Sequence, residues 1–167
     1  MILGMDFGTT NSGVAVYDGR VRLLPLDRAN PSNPAVVRTM LYITNRQRLH
    51  YGRGAINVYY RQNHGRPVRL RREYIGEISL TYADLGTFFR DVYVWVDELE
   101  PGRIFRSLKT FLPDDSYLGT AVWNKYYTLE DLVAAFLRML KVEAEKQLGA
   151  TVSEIVLGRP VRFGETP

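Results

Sequence analysis

The sequence predicts an α/β protein built on a mixed sheet. Three observations carry this reading: alternating apolar patterns at the N-terminus punctuated by turn residues, one long amphipathic helical pattern after Thr128, and a short apolar run directly beyond it. Ile2 to Phe7 reads as a strand, with Ile2, Gly4, Asp6 and Gly8 on one face and Leu3, Met5 and Phe7 on the other. Asp6 therefore stands at a strand end. After the turn Gly8 to Asn11, Gly13 to Tyr17 reads as a second strand, Asp18-Gly19 as a type I′ hairpin signal, and Val21 to Leu26 as a third strand. The segment from Asp27 to Pro34, dense in Pro, Asn and Asp, marks a departure from this meander.

The middle of the chain is mixed. Val36 to Thr44 and Asp91 to Val96 read as strands, while Gly102 to Leu112 spaces Ile104, Phe105, Leu108, Phe111 and Leu112 as a short amphipathic helix. Thr128 then serves as an N-cap, with Glu130 and Asp131 in the first turn. An apolar stripe follows through Leu129, Leu132, Val133, Phe136, Leu137, Leu140 and Ala144, with Lys141 and Lys146 late and Gly149 just past the end. That specifies a helix. Glu154 to Val161 is the short apolar strand, which a helix packing back on the sheet brings parallel to the first.

Composition narrows the function classes. A chain of 167 residues, 46% hydrophobic and 12% aromatic, buries a real core as one domain or two small lobes. It has no cysteine, so disulfides, thiolate nucleophiles and cysteine-ligated zinc are excluded. His50 and His64 lie in polar surroundings without HExxH spacing and take no role. No apolar run approaches the length of a bilayer span, and Asp6 interrupts the N-terminal candidate for a signal segment. The expectation is a cytoplasmic protein without a membrane partner. Net charge is +4, and the basic residues concentrate in Arg61 to Arg72, flanked by Tyr59, Tyr60 and Tyr74. Such a segment could hold a nucleic-acid backbone, but no RNP, zinc-finger or helix-turn-helix pattern accompanies it, and a solvated arginine-rich loop is the simpler reading.

The chemistry concentrates in Met5 to Gly13, "MDFGTTNSG". A Gly- and Thr-rich turn between strands lets backbone N–H groups approach an anion, and the hydroxyls of Thr9 and Thr10 add donors. Gly8, Thr9, Thr10 and Asn11 are thus candidate phosphate-binding residues. Asp6, at the same mouth, could hold Mg²⁺ through its waters. No GxxxxGK[ST] motif occurs, and the DFG triplet has none of the other protein-kinase signatures.

At these residues the sequence resembles a known family. "LGMDFGTTNSGVAVYDG" is similar to the first phosphate loop of the actin-like ATPases, and specifically of the 70 kDa heat-shock (DnaK-type) chaperones. "IFRSLKTFLPD" resembles that family's helix bearing a catalytic lysine, which assigns the role to Lys109. "LGATVSEIVLGRPVRF" resembles the strand whose proline couples the nucleotide site to a partner domain, which assigns that role to Pro160. The forms "RSLKTFL", "YTLEDL" and "LGRPVRF" resemble the divergent bacterial YegD-like branch.

The resemblance implies a ribonuclease-H-like (actin-like ATPase) lobe from residues 1–34 and 120–167, with a small α+β subdomain, 35–119, inserted. It implies ATP or ADP with Mg²⁺ as ligands: Thr9 and Thr10 on the β- and γ-phosphates, Asp6 in the metal's water shell, Lys109 at the γ-phosphate and attacking water. In the family the second phosphate loop and the adenosine pocket follow the proline strand, whereas Thr166-Pro167 reads as the start of a helix. The chain is thus expected to be C-terminally truncated, weak or inactive as an ATPase alone, and prone to self-association through exposed sheet. Expected partners are nucleotide, the rest of the nucleotide-binding domain and, through further domains, unfolded proteins and co-chaperones. The proline expected near Arg38-Thr39 is missing. A carbohydrate kinase sharing the Asp-x-Gly-Thr-Thr hairpin and an interaction module using Arg61 to Arg72 are the alternatives.

Overall fold

The computed structural model describes residues 2–83, 86–113, 117 and 119–158. In chain order these form β1 (Ile2–Phe7), β2 (Asn11–Tyr17), β3 (Val21–Leu23), β4 (Val37–Arg38), β5 (Met40–Thr44), β6 (Leu49–Tyr51), α1 (Gly52–Asn63), β7 (Leu70–Tyr82), β8 (Gly86–Asp97), β9 (Gly102–Arg106), a 3-10 turn (Leu108–Phe111), β10 (Gly119–Val122), β11 (Lys125–Thr128), α2 (Leu129–Leu148) and β12 (Glu154–Gly158). The chain is an α/β protein with a mixed sheet. Two compact units emerge, one from Met1–Gln62 with Gly102–Pro167, the other from Asn63–Pro101.

The main sheet of the first unit runs β12-β1-β2-β3, with β4 also pairing β2. β1 and β12 are parallel, and β1, β2 and β3 form the antiparallel meander. Alternation in β1 sends Leu3, Met5 and Phe7 into the core and leaves Ile2, Gly4 and Asp6 exposed on the opposite face. The core side is shared with α2, whose Leu132, Phe136, Leu140 and Ala144 are fully buried, and the rings of Phe7 and Phe136 meet at 5.9 Å. Each such Leu or Phe contributes about 1.5–3 kcal/mol by burial.

The ends of α2 are specified locally. The Asp131 N–H donates to Thr128 Oγ1 and the Thr128 N–H to Asp131 Oδ2, each at 3.1 Å, a reciprocal capping box. At the far end Gly149 takes a left-handed conformation, φ 63°, and Glu145 ties the exit down. Its Oε1 accepts from Lys141 Nζ at 2.6 Å and from the Val152 N–H at 2.9 Å. The helix is thereby stapled to the lead-in of β12.

Several expectations are corrected. Gly102 to Leu112 is not a helix but β9 followed by a 3-10 turn. Its helical spacing loses to ladder pairing: Phe105 pairs with Leu41 and Ile104 with Tyr42, while a Cβ on Gly102 would collide with the Ile43 carbonyl. Ser107, at φ 55°, then breaks the strand. The third strand ends at Leu23 rather than Leu26, because Pro25 has no N–H to continue the ladder, although Leu24 still donates to Val14 O at 2.8 Å. The strand expected across Val36 to Thr44 is broken at Thr39 into β4 and β5, and the one at Asp91 to Val96 extends into β8. Arg159, Pro160, Val161, Arg162 and the helix start expected at Thr166-Pro167 lie outside the described residues.

α1 is the element that propensity argues against, with Gly52, Gly54 and two tyrosines. It forms because buried Asp27 accepts the Arg53 N–H at 2.7 Å across 26 residues, acting as a distant cap. Gly52 sits at φ 59° so close to this carboxylate that a Cβ would collide with Asp27 Oδ2. Beside it, desolvation, with Glu143 and Asp27, pushes the Tyr51 phenol up to about 12. Its hydroxyl donates to the Leu26 carbonyl at 2.8 Å.

The second unit, taken by itself, is the antiparallel pair β7 and β8 with its flanks. Arg66 and Asp97 form an ion pair at 2.5 Å at its base.

Candidate functional site: the turn between the first two strands

The turn leaves β1 at Phe7 and enters β2 at Asn11, so Gly8, Thr9 and Thr10 occupy the whole reversal. Gly8 is required there because a Cβ would collide with the Asn11 carbonyl oxygen. Thr9, Thr10 and Asn11 are exposed, as expected of residues offering hydroxyl and amide groups to a ligand. The residue after β4 holds the turn from one side: the Thr39 N–H donates to Thr10 O at 2.9 Å, and Thr39 Oγ1 meets Ser12 Oγ at 2.8 Å in a buried pair. Arg38 Nη1 donates to Asn11 Oδ1 at 3.2 Å. A guanidinium therefore stands at the turn. A threonine occupies the position near which a proline was expected, and its hydroxyl and N–H form two of these bonds.

Asp6 sits at the last row but one of β1, and its neighbours are distinctive. Across β2 it faces Gly13, and across β12 it faces Gly158. Gly4, two residues earlier on the same face, faces Ala15. Because these positions carry little or no side chain, the sheet is hollow around the carboxylate, and an open groove of about 480 Å³ is lined there by Gly4, Asp6, Asn11, Gly13, Ala15, Leu23, Val156 and Gly158, among others. Glycine within a strand often marks close approach of a ligand or another backbone.

Lys109 approaches from the other side. The 3-10 turn is anchored by buried Leu108, and Lys109 Nζ donates to the Phe7 carbonyl at 2.5 Å, with the ammonium 5.8 Å from the Phe7 ring centroid. The structure thus sets Lys109 at the end of β1 on the core side and Asp6 on the opposite face, with the Gly8–Asn11 reversal directly following both. Pro160 cannot be placed among them. No protein-family model matches the chain.

Among the described residues no three acidic or histidine side chains converge as a metal site. A cation at Asp6 would therefore be held by one carboxylate, water and ligand oxygens, the mode that suits Mg²⁺. Among the described residues, no helix is long and apolar enough to cross a membrane.

The arginine cluster has other work. Arg66 pairs with Asp97, Arg69 and Arg71 both pair with Glu98, and the Arg72 guanidinium lies 3.8 Å over the Tyr93 ring. Desolvation pushes the Asp97 carboxyl up, but hydrogen bonds from the Leu99 N–H, Arg66 and the Arg69 N–H outweigh it and hold it below its usual range. Much of the positive charge in this segment is balanced within the unit. His50 stacks on Tyr42 with centroids 6.4 Å apart, and desolvation, with Arg48 and Arg61, lowers its pKa.

Sequence reasoning overlooked four contributors: Gly13, Gly158, Arg38 and Thr39. The two glycines were detectable as breaks in otherwise apolar strands, but only the register shows that both flank Asp6. Arg38 and Thr39 gave no local signal.

Proposed function

We propose that the chain is the phosphate-binding lobe of a DnaK-like ATPase of the actin-like, ribonuclease-H-like class. The observation that carries the reading is the bond from Lys109 to the carbonyl of Phe7, the residue before the Gly8–Asn11 turn and 102 residues away, with Asp6 between Gly13 and Gly158 in an open groove on the opposite face of the same strand. Both features accord with the roles that the sequence resemblance implies.

On this reading the turn N–H groups and the Thr9 and Thr10 hydroxyls receive the phosphates of ATP or ADP, and Gly8 lets the backbone come close. Lys109 and Arg38 supply positive charge from two sides. Asp6 is the residue that would hold Mg²⁺ through its waters, and the ion would supply charge neutralisation at the phosphates. Lys109 is held at the turn by its bond to Phe7, so its position is set before a nucleotide arrives. The exposed apolar edge β12, where Ile155, Val156 and Leu157 are 39%, 65% and 47% exposed, is where the rest of a nucleotide-binding domain would pack. Complete hydrolysis, co-chaperones and unfolded-protein clients belong to that larger assembly in the cytoplasm.

Backbone amide resonances followed during a titration with Mg²⁺-ADP test this. The expected result is displacement of Gly8, Thr9, Thr10, Asn11 and Gly158 with little change in β7 and β8. Unmoved turn resonances at saturating nucleotide would overturn the reading.

A further inference from the structure

The ribbon of β7 and β8 presents an apolar side that nothing else in its unit covers. Its register runs from Leu70 opposite Asp97 to Tyr82 opposite Gly86, with a bulge between Tyr74 and Gly76. Residues directly opposite share a side. One side carries Ile78, Leu80, Tyr82, Phe88, Val92 and Val94; Ile78, Tyr82 and Phe88 are 47%, 53% and 51% exposed. The other side also carries exposed aromatics, Tyr74, Phe89 and Trp95 at 54%, 68% and 67%, but at its centre Glu77 lies opposite Asp91, so a second copy laid on it would bring carboxylates against carboxylates; a Thr81–Thr87 hydroxyl pair at 3.0 Å follows. An isolated two-stranded ribbon is marginal in water unless its apolar side is covered, and a contiguous exposed apolar surface of this kind marks an interaction site.

We propose that this side is a contact between two copies of the chain, related by a twofold axis through the Gly76–Val92 row. The charges select the occupant. Successive rows are Glu73–Val94, Gly76–Val92 and Ile78–Arg90. Arg90 has no ion-pair partner among the described residues, whereas Glu73 bonds only the half-exposed Arg71, at 3.2 Å, a bond of little energy in water. An identical ribbon laid face to face, strands reversed about the Gly76 row, sets each Arg90 against the row that holds the partner's Glu73. A twofold contact repeats the pair, so one free cation is matched twice. Gly76, without a side chain, lets the two backbones close at the axis. The face is only two strands wide, so the dimer falls at the small, weak end of specific interfaces. The contact does not depend on whether the N-terminal turn binds phosphate.

Sedimentation equilibrium of the full chain up to high micromolar concentration tests the proposal. The unsubstituted protein dimerises, Arg90→Glu and Glu73→Arg each weaken the association about tenfold or more, and the double reversal restores it. Both positions are exposed, so folding is not at stake. A chain monomeric throughout, a dimer indifferent to the single reversals, or one that the double reversal does not restore would overturn it.

Discussion

Lys109 Nζ lies 2.5 Å from the carbonyl oxygen of Phe7, the last residue before the glycine of the turn. A charge-assisted hydrogen bond of this kind ties the 3-10 turn to the end of β1. Lys109→Met keeps the aliphatic stem and removes the charge. It is expected to lower stability by about 1–2 kcal/mol in urea unfolding and to weaken Mg²⁺-ATP more than Mg²⁺-ADP. Equal weakening of both nucleotides would argue that the lysine only braces the turn.

The hollow around Asp6 gives a steric prediction. A Cβ at Gly158 would meet only the Met5 carbonyl oxygen, at 3.7 Å, and one at Gly13 only the Ala35 carbonyl oxygen, at 3.8 Å, both ordinary contact distances. Gly13→Val and Gly158→Val should therefore fold, with thermal midpoints close to the parent, yet lose nucleotide binding by about tenfold or more because the groove is filled. Gly8→Ala differs. Its Cβ strikes the Asn11 carbonyl, so it should cost on the order of 1–3 kcal/mol in stability as well as binding.

Glu145 makes a pH prediction. The Lys141 ammonium first, and then the Val152 N–H, hold its carboxyl below the usual range. A carboxylate with a depressed folded-state pKa contributes stability above its unfolded pKa and loses it as pH falls through the folded value. The contribution is therefore present at neutral pH and fades once the pH falls below the ordinary glutamate range. The stability difference between the parent and Glu145→Gln, followed by urea midpoints, should be constant near neutrality and shrink on acidification. A difference that grows in acid would contradict the assignment.

Asp27 supports α1 from outside the helix. Asp27→Ala removes the acceptor of the Arg53 N–H and leaves that donor beside Gly52 without its partner. The expected cost is about 0.5–2 kcal/mol, with faster hydrogen exchange confined to the first turn of α1. Uniformly faster exchange would place the effect elsewhere.

The parts of the fold legible in the sequence were those written locally. Thr128, Asp131 and Gly149 fix α2 because caps act within one turn, and the alternation of Leu3, Met5 and Phe7 fixes the faces of β1. Elements set by distant partners stayed hidden. α1 rests on Asp27, and β9 rests on pairing with β5, which outweighs its helical spacing. The β10–β11 hairpin turns at Trp123, a residue at φ 56° with no turn signature. The site divides in the same way. Gly8, Thr9 and Thr10 form one contiguous motif, while the hollow made by Gly13 and Gly158 exists only once three strands are in register.

On the proposed reading the Gly8–Asn11 turn and Asp6 form a nucleotide-phosphate site. Calorimetric titration of Mg²⁺-ADP and Mg²⁺-ATP into the chain, with Asp6→Ala and Thr9→Ala in parallel, decides it. Micromolar-range binding that both substitutions abolish is the predicted result; no binding, or binding indifferent to both substitutions, would contradict it.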